Sequence, residues 1–413
     1  MIYKKLKLRE CCLSISDGDH QPPPKQEKGI PFITISNFDN TNNILFSNCM
    51  YVSEQYYEAL PSIKKAQKGD ILYSVVGSFG IPILITDDDK FVFQRHIAIL
   101  RPNREIVLPE YLYYLLLNSD FYRLADKYAI GAAQRTISLE SLRNIEVNIH
   151  TMDDQIKIVN QLSAIDRKIM NNRTINDNLL NQLKTLYDYW FIQFEFPDEN
   201  GNPYNSSGGE MVWNEKLKRN IPTEWICQNI KEITSITWGQ CPDGRNILSK
   251  FIHSDNLLDY CSGAGDMKGG FLVDCQAKTD KSKRFAHNDD ILVSVAGKIG
   301  DICVVDHTIS LGRAAMAFSA NSHNELTYIY MTLLTLNKKM TTISTGSIQK
   351  VINNDHINEF NFPYNKEIVS RFGKLTLNIF HELKQIAIEN KQLIQLRDWL
   401  LPMLMNGQAT IDD

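Results

Sequence analysis

Two arginines hold matching places in this sequence, Arg95 in FVFQRHIAIL and Arg313 in ISLGRAAMAF. A guanidinium at a strand start presents a planar fork that suits guanine O6/N7 or a phosphate; a structural ion pair is the competing use. Upstream of each lies a polar loop. SDGDHQPPPKQEK (residues 16–28) offers Asp17, His20 and Lys25, and GQCPDGR (residues 239–245) offers Gln240 and Arg245. These side chains can reach base edges or simply build turns. Lys278, Lys281, Lys283 and Arg284 form a basic run suited to phosphates, although such runs also serve as solvated faces. Gln134-Arg135 and Gln349-Lys350 complete a polar set that occurs twice, each time in a loop leading into a strand.

Motifs for catalysis are missing. The sequence holds no G-x-x-x-x-G-K-[ST], no H-E-x-x-H, no G-x-S-x-G and no Cys/His set at zinc spacing. Nor does it hold an Asn/Asp-Pro-Pro-aromatic tetrapeptide, which grips the target amino group in adenine methyltransferases. Gln21-Pro-Pro-Pro-Lys25 lacks both the lead residue and the aromatic. We therefore assign no catalytic residue and no metal ligand.

The elements that must position the polar set are themselves repeated. GDILYSVVGSFG (residues 69–80) and DDILVSVAGKIG (residues 289–300) share Asp, Ile, Leu, Ser, Val and both glycines in register. Their β-branched cores predict strands, and each G-x-x-G predicts a turn between strands. Further matches follow in order: Arg95 with Arg313, Glu110 with Glu325, Tyr113 with Tyr328, and Gly131…Gln134…Ile137 with Gly346…Gln349…Ile352. The segments from Pro109 and Asn324 read as amphipathic helices. Because the spacing between paired residues shrinks stepwise, as loop deletions would produce, we read a duplicated domain. PDENGNPYNSSGG (residues 197–209) reads as a connection.

Each copy ends in a long helical pattern. Steps of three and four pick out Leu162, Ile165, Ile169, Asn172, Asn176, Leu179, Leu183, Leu186 and Trp190. In the second copy they pick out Phe372, Leu375, Ile379, Glu382, Ile386, Glu389, Leu393, Leu396 and Leu400. Such a repeat predicts coiled-coil seams, and polar residues within a seam set register. At ~1.5 Å per residue, helices of about 38 residues reach ~57 Å. Two matched seams predict that the helices pack on each other.

Bulk properties fit an ordinary soluble chain. The 413 residues suffice for two or three domains. The net charge of −4 argues against indiscriminate coating of nucleic acid and leaves a local basic face open. The 8 cysteines show no C-x-x-C and fit reduced thiols in a cytoplasm. No apolar run reaches the ~20 residues that span a bilayer.

Taken in order, GIPFITISNF, KGDILYSVVGSFG, FQRHIAILRPN and G-A-A-Q-R-T-I, then a long helix, resemble the first half of a type I restriction–modification specificity subunit. ITWGQCPDGR, TDKSKRFAHNDDILVSVAGKIGD, SLGRAAMAF and a helix ending LRDWLLPMLMNGQ resemble the second half. The resemblance covers essentially the whole chain. It implies an α+β fold with a pseudo-two-fold internal repeat. Two similar mixed α/β target recognition domains (1–152 and 197–365, the latter with an N-terminal linker at 197–222) are expected. Two long helices (153–196 and 366–408) would separate them as an antiparallel coiled coil.

The implied function is non-catalytic. Each domain reads one half of a bipartite, asymmetric site in double-stranded DNA, while the helices set the spacing and dock methyltransferase subunits. S-adenosylmethionine and ATP/Mg belong to the methyltransferase and restriction partners, none to this chain, and no membrane is involved. The family commonly carries Pro-x-Pro-x-x-x-Glu-Gln where each long helix begins. Asn148-Ile-His-Thr-Met-Asp-Asp154-Gln155 and Pro363-Tyr-Asn-Lys-Glu367-Ile-Val369 depart from it, so altered helix starts are expected. The competing readings are a coiled-coil scaffold and a methyltransferase or nuclease with an unrecognised site.

Overall fold

The computed structural model describes residues 3–19, 24–39, 42–47, 49–131, 134–242, 246–250, 252, 254, 256–268, 270–344 and 351–409. The chain divides into two units, Met1–Lys168 with Leu393–Asp413, and Ile169–Gln392. Each unit is one α/β body with a stretch of both long helices.

In the first unit a four-stranded antiparallel sheet runs in the order Cys12–Asp17, Ile97–Pro102, Ile71–Ser74, Pro82–Leu84. The second unit repeats that order with Thr234–Trp238, Ala315–Ala320, Ile291–Ser294 and Ile302–Val304. Register repeats too, since Ile71 faces Leu100 and Ile291 faces Phe318. A further sheet accompanies each. Met50–Val52, Ile30–Ile33 and Val92–Phe93 form one in the first unit, and a five-stranded sheet around Leu258–Cys261 and Ile309–Leu311 forms one in the second.

The duplicated motif lies inside each four-stranded sheet, and structural reasons account for most of its shared residues. Ile71–Ser74 and Ile291–Ser294 are buried along their whole length, as the apolar runs require. Ser74 Oγ accepts the Ile81 N–H at 2.8 Å and Ser294 Oγ accepts the Asp301 N–H at 2.8 Å, closing the hairpin turns. Asp70 and Asp290 accept the N–H of Gln67 (3.0 Å) and His287 (2.7 Å). Gly80 and Gly300 have φ of +90° and +89°. A Cβ there would lie 2.5 Å from the Tyr122 ring or 2.6 Å from Asn337 Oδ1.

Two expectations need correction. The helical pattern from Pro109 is not one helix but two, Pro109–Leu117 and Ser119–Tyr128. Asn118 breaks it, adopting an extended conformation and capping the second helix through the Asp120 N–H at 3.0 Å. The corresponding Leu326–Ile343 is continuous. The expected linker at 197–222 is also partly ordered, because Met211–Asn214 and Arg219–Pro222 pair as a hairpin. Tyr204 stacks on Phe196, and Phe196 on Trp225, at 4.8 and 5.2 Å between ring centres.

The long helices span Met152–Tyr187, continued by a π-turn at Asp188–Ile192, and Lys366–Met405. Their starts replace the family's usual segment with local caps. Thr151 Oγ1 accepts the Asp154 N–H, and Asn365 Oδ1 accepts the N–H of Glu367 and Ile368. Buried Gln155 donates to the carbonyls of His150 and Ile106 and accepts the Leu108 N–H, which pins the first helix to its body. Its counterpart Val369 is buried and apolar.

Within the second unit the helices run antiparallel. Asn172 Nδ2 donates to Glu389 Oε2 at 2.7 Å, Asn176 Nδ2 to the Leu383 carbonyl at 3.4 Å, and the Trp190 ring lies 5.6 Å from Phe372. Within the first unit Asp166 accepts a guanidinium N–H of Arg397 at 3.1 Å, and Leu162 shares a core with Leu401. Of the expected seam residues, Leu162, Ile169, Leu183, Trp190, Phe372 and Ile386 are buried. Ile165, Leu179, Leu186, Ile379, Leu393 and Leu400 are half-buried.

Leu375 and Leu396, 56% and 43% exposed, do not lie in a seam. The inner row of the second helix sits one place further on. Val369, Thr376, Leu383, Asn390 and Leu404 are buried at heptad spacing, with half-buried Arg397 between the last two. One residue is about 100° of helix, enough to turn a side chain from core to solvent.

Candidate nucleic-acid interface

In the first unit Arg95 stands at the turn between Val92–Phe93 and Ile97–Pro102. The loop after Cys12–Asp17 is laced to that turn. Arg95 N–H donates to the Asp19 carbonyl (2.9 Å), Asp19 N–H to Phe93 (2.8 Å), and Gly18 N–H to Ile97 (3.2 Å). The approach is so close that a Cβ on Gly18 would lie 2.1 Å from the Phe93 carbonyl oxygen. The G-x-x-G turn joins on the other side, with Val75 N–H bonded to the His96 carbonyl and Gly77 N–H to that of Arg135.

The second unit builds the same rim. Gln240 N–H donates to Leu311 (2.9 Å), Gly239 N–H to Ala315 (3.1 Å), Val295 N–H to Ala314 (2.9 Å) and Ile352 N–H to Val295 (2.9 Å). A Cβ on Gly239 would lie 1.9 Å from the Gly312 carbonyl oxygen. Sequence-distant loops are thus drawn round an arginine turn, twice, by backbone bonds whose geometry does not depend on the exposed side chains.

Those side chains differ in what they are free to do. Arg95 and Arg313 are exposed, and neither is held by an ion pair among the described residues. Lys25 and Gln240 are exposed, and Asp17 is half-exposed at the end of its strand. Arg135 is committed elsewhere: its Nε donates to Asp126 Oδ1 at 2.8 Å and a terminal nitrogen to the Asp126 carbonyl at 2.7 Å, which braces the loop. In the basic run, Lys278 lies 3.8 Å from Asp259 and Lys281 3.9 Å from Asp280. Lys281, Lys283 and Arg284 are exposed. Arg284 also accepts the Leu311 N–H through its carbonyl, which ties this run to the strand leading into Arg313. His20, Arg245 and Lys350 lie outside the described residues.

The second rim encloses an open groove of about 720 Å³ lined by Arg313, Trp238, Lys231, Asn353 and Asn354 over an apolar floor of Ile236, Val295, Val351 and Ile352. Arg313 makes its field felt beside the groove. Burial pushes the Cys241 thiol up, but the Tyr260 hydroxyl, the Arg313 N–H and the Arg313 charge together bring it below its ordinary value. Trp238, Asn353 and Asn354 were not singled out from sequence. Trp238 directly precedes the Gly239 loop, which was the available signal; the asparagines follow the last repeated isoleucine and carry none.

Comparison with known proteins fits this duplicated architecture. A family described as the type I restriction modification DNA specificity domain matches residues 17–181 and again residues 222–397. The chain belongs to this family. Among curated relatives, the HindI specificity subunit of Haemophilus influenzae is 22% identical over 90% of this chain and 94% of its own length. The MjaIX specificity subunit of Methanocaldococcus jannaschii is 24% identical over 74% and 70%. A solved structure, the type I restriction-modification S subunit from M. genitalium, matches with a TM-score of 0.56 at 17% identity, covering 98% and 96% of the two chains. This specificity-family chain therefore carries two copies of the domain, each on its own rim. Among its described residues no group of His, Cys, Asp and Glu is placed to hold a metal, and no helix is long and apolar enough to cross a membrane.

Proposed function

We propose that this chain is the sequence-reading subunit of a type I restriction–modification complex, each rim meeting one half of a bipartite site in double-stranded DNA. The observation that carries the reading is the repeated, backbone-laced rim with an exposed arginine, in no ion pair among the described residues, at the same place in both units. Two versions of one scaffold with different linings suit an asymmetric pair of half-sites. Asp17 in the first rim corresponds to Trp238 in the second, and Ser138 to Asn353.

In this reading the chain performs no chemistry. Methyltransferase subunits bring S-adenosylmethionine, and restriction subunits bring ATP and Mg, in the cytoplasm. The long helices hold the methyltransferases and set the gap between half-sites. Lys281, Lys283 and Arg284 serve phosphates, while Arg95 and Arg313 reach bases.

The test is the methylated motif in cells carrying the chain with its methyltransferase. Arg95→Ala should relax one position in one half-site and Arg313→Ala one position in the other, each by about 1–3 kcal/mol of discrimination. A uniform loss at all sequences would make them phosphate contacts. If the wild-type complex yields no bipartite motif, the reading fails.

A further inference from the structure

Two side chains lining the groove of the second unit, Asn354 and Trp238, make no hydrogen bond among the described residues. Asn354 is exposed and its side-chain amide makes no hydrogen bond among the described residues; only its backbone carbonyl is used, at 3.4 Å from Lys231 Nζ. Asn353, beside it, is different. Its Oδ1 caps the following turn by accepting the N–H of Asp355 and His356 at 3.1 and 3.2 Å. Trp238 is half-buried, and its indole N–H has no partner among the described residues.

Among the described residues no carboxylate lines the groove, and its floor is aliphatic. A phosphate can be met by cations and amides alone, so the apolar floor is left over by that explanation. Neighbouring base pairs can use all of them: a fork for guanine, an amide that both donates and accepts for adenine, and an apolar wall for the thymine methyl. The groove is open to solvent, as a duplex edge requires. In the first unit the corresponding positions are Leu139 and Asp17, so this lining belongs to one half-site alone.

We infer that Asn354 is a base-reading residue of the second domain, acting beside Arg313 with Trp238 as the apolar wall, and that the half-site read there contains an adenine next to the base held by Arg313. The inference rests on the proposed function.

The experiment is methylome sequencing of cells carrying the chain with its methyltransferase, comparing wild type with Asn354→Ala and Asn354→Asp. The alanine variant should lose roughly 5- to 150-fold of discrimination at one adenine position of that half-site, the range that follows from a bidentate base contact. The aspartate variant should move the preference at that position toward cytosine. The other half-site and the gap should not change. An unchanged motif at full modification would overturn the inference. So would a uniform loss at every site with an unchanged melting temperature, since that marks a backbone or subunit contact. A wild-type motif that is not bipartite would instead sink the proposed function and leave its cause distinguishable.

Discussion

Lys384, on the second long helix, is buried and places its ammonium 2.5 Å from Asp289 Oδ1 and 2.7 Å from Asn288 Oδ1. Its partners form the turn that leads into the repeated strand motif, so this cation ties the helix to the body within the second unit. Removing one member of a buried pair strands the other charge. Lys384→Met should cost about 3 kcal/mol, the low end for such pairs because Asp289 keeps partial solvent access. Denaturant unfolding measures it; a loss below about 1 kcal/mol would show that the pair is not what holds this turn.

Asp289 also carries a backbone cost, since its φ is +69° where the first copy has Gly69 at +93°. Asp289→Gly and Asp289→Ala remove the same carboxylate, but only glycine adopts this conformation without strain. The glycine variant should be the more stable by about 1 kcal/mol. Equal stabilities would mean that the turn relaxes to negative φ.

Asn172 and Glu389 meet inside the second unit at 2.7 Å. Asn172→Leu should destabilise by about 1–3 kcal/mol by leaving a partly buried carboxylate short of a donor. The double change with Glu389→Leu should recover most of that, as apolar replacement of both partners usually does. A double variant as unstable as the sum of the singles would show that each residue acts through its other neighbours.

What the sequence made legible is what local rules govern. The strand core, the hairpin serine and the G-x-x-G turn of the repeat are short-range, and two copies in one chain exposed them. In the second helix the row through Phe372 and Ile386 is inward as its pattern implies, but the row through Leu375 and Leu396 lies one residue off, because the true inner row carries Thr376, Asn390 and Arg397 and a count of apolar residues favours its neighbour. The break at Asn118 was hidden in a strongly helical stretch. Individual ion pairs left no trace: nothing near Arg135 announces that Asp126 claims it, and nothing near Lys384 announces Asp289.

His307 gives a pH dependence whose sign follows from its neighbours. Its imidazole hydrogen-bonds Asp259 at 3.0 Å and Asp306 at 2.6 Å, and these carboxylates raise its pKa from 6.5 to about 9. A raised folded-state pKa means that its stabilisation is full below about pH 6.5 and is lost as pH climbs through 9. The melting temperature of the wild type should exceed that of His307→Gln at pH 6, and the gap should close toward pH 10. A gap that does not change with pH would show that the imidazole is held by packing instead of charge.

Gly239 and Gly18 are the sharpest test of how the rims are built. A Cβ on Gly239 would stand 1.9 Å from the Gly312 carbonyl oxygen, one residue before Arg313; a Cβ on Gly18 would stand 2.1 Å from that of Phe93, two residues before Arg95. Backbone cannot yield as a flexible side chain does, so alanine at either place must push the loop off the arginine turn. Each change should cost about 1–3 kcal/mol of stability, as overpacking does, while the body keeps its core. In the methylated motif, Gly239→Ala should degrade only the half-site read by the second domain and Gly18→Ala only the other. If Gly239→Ala weakened both halves equally, the loop would be bearing on the fold as a whole and not on the placement of Arg313.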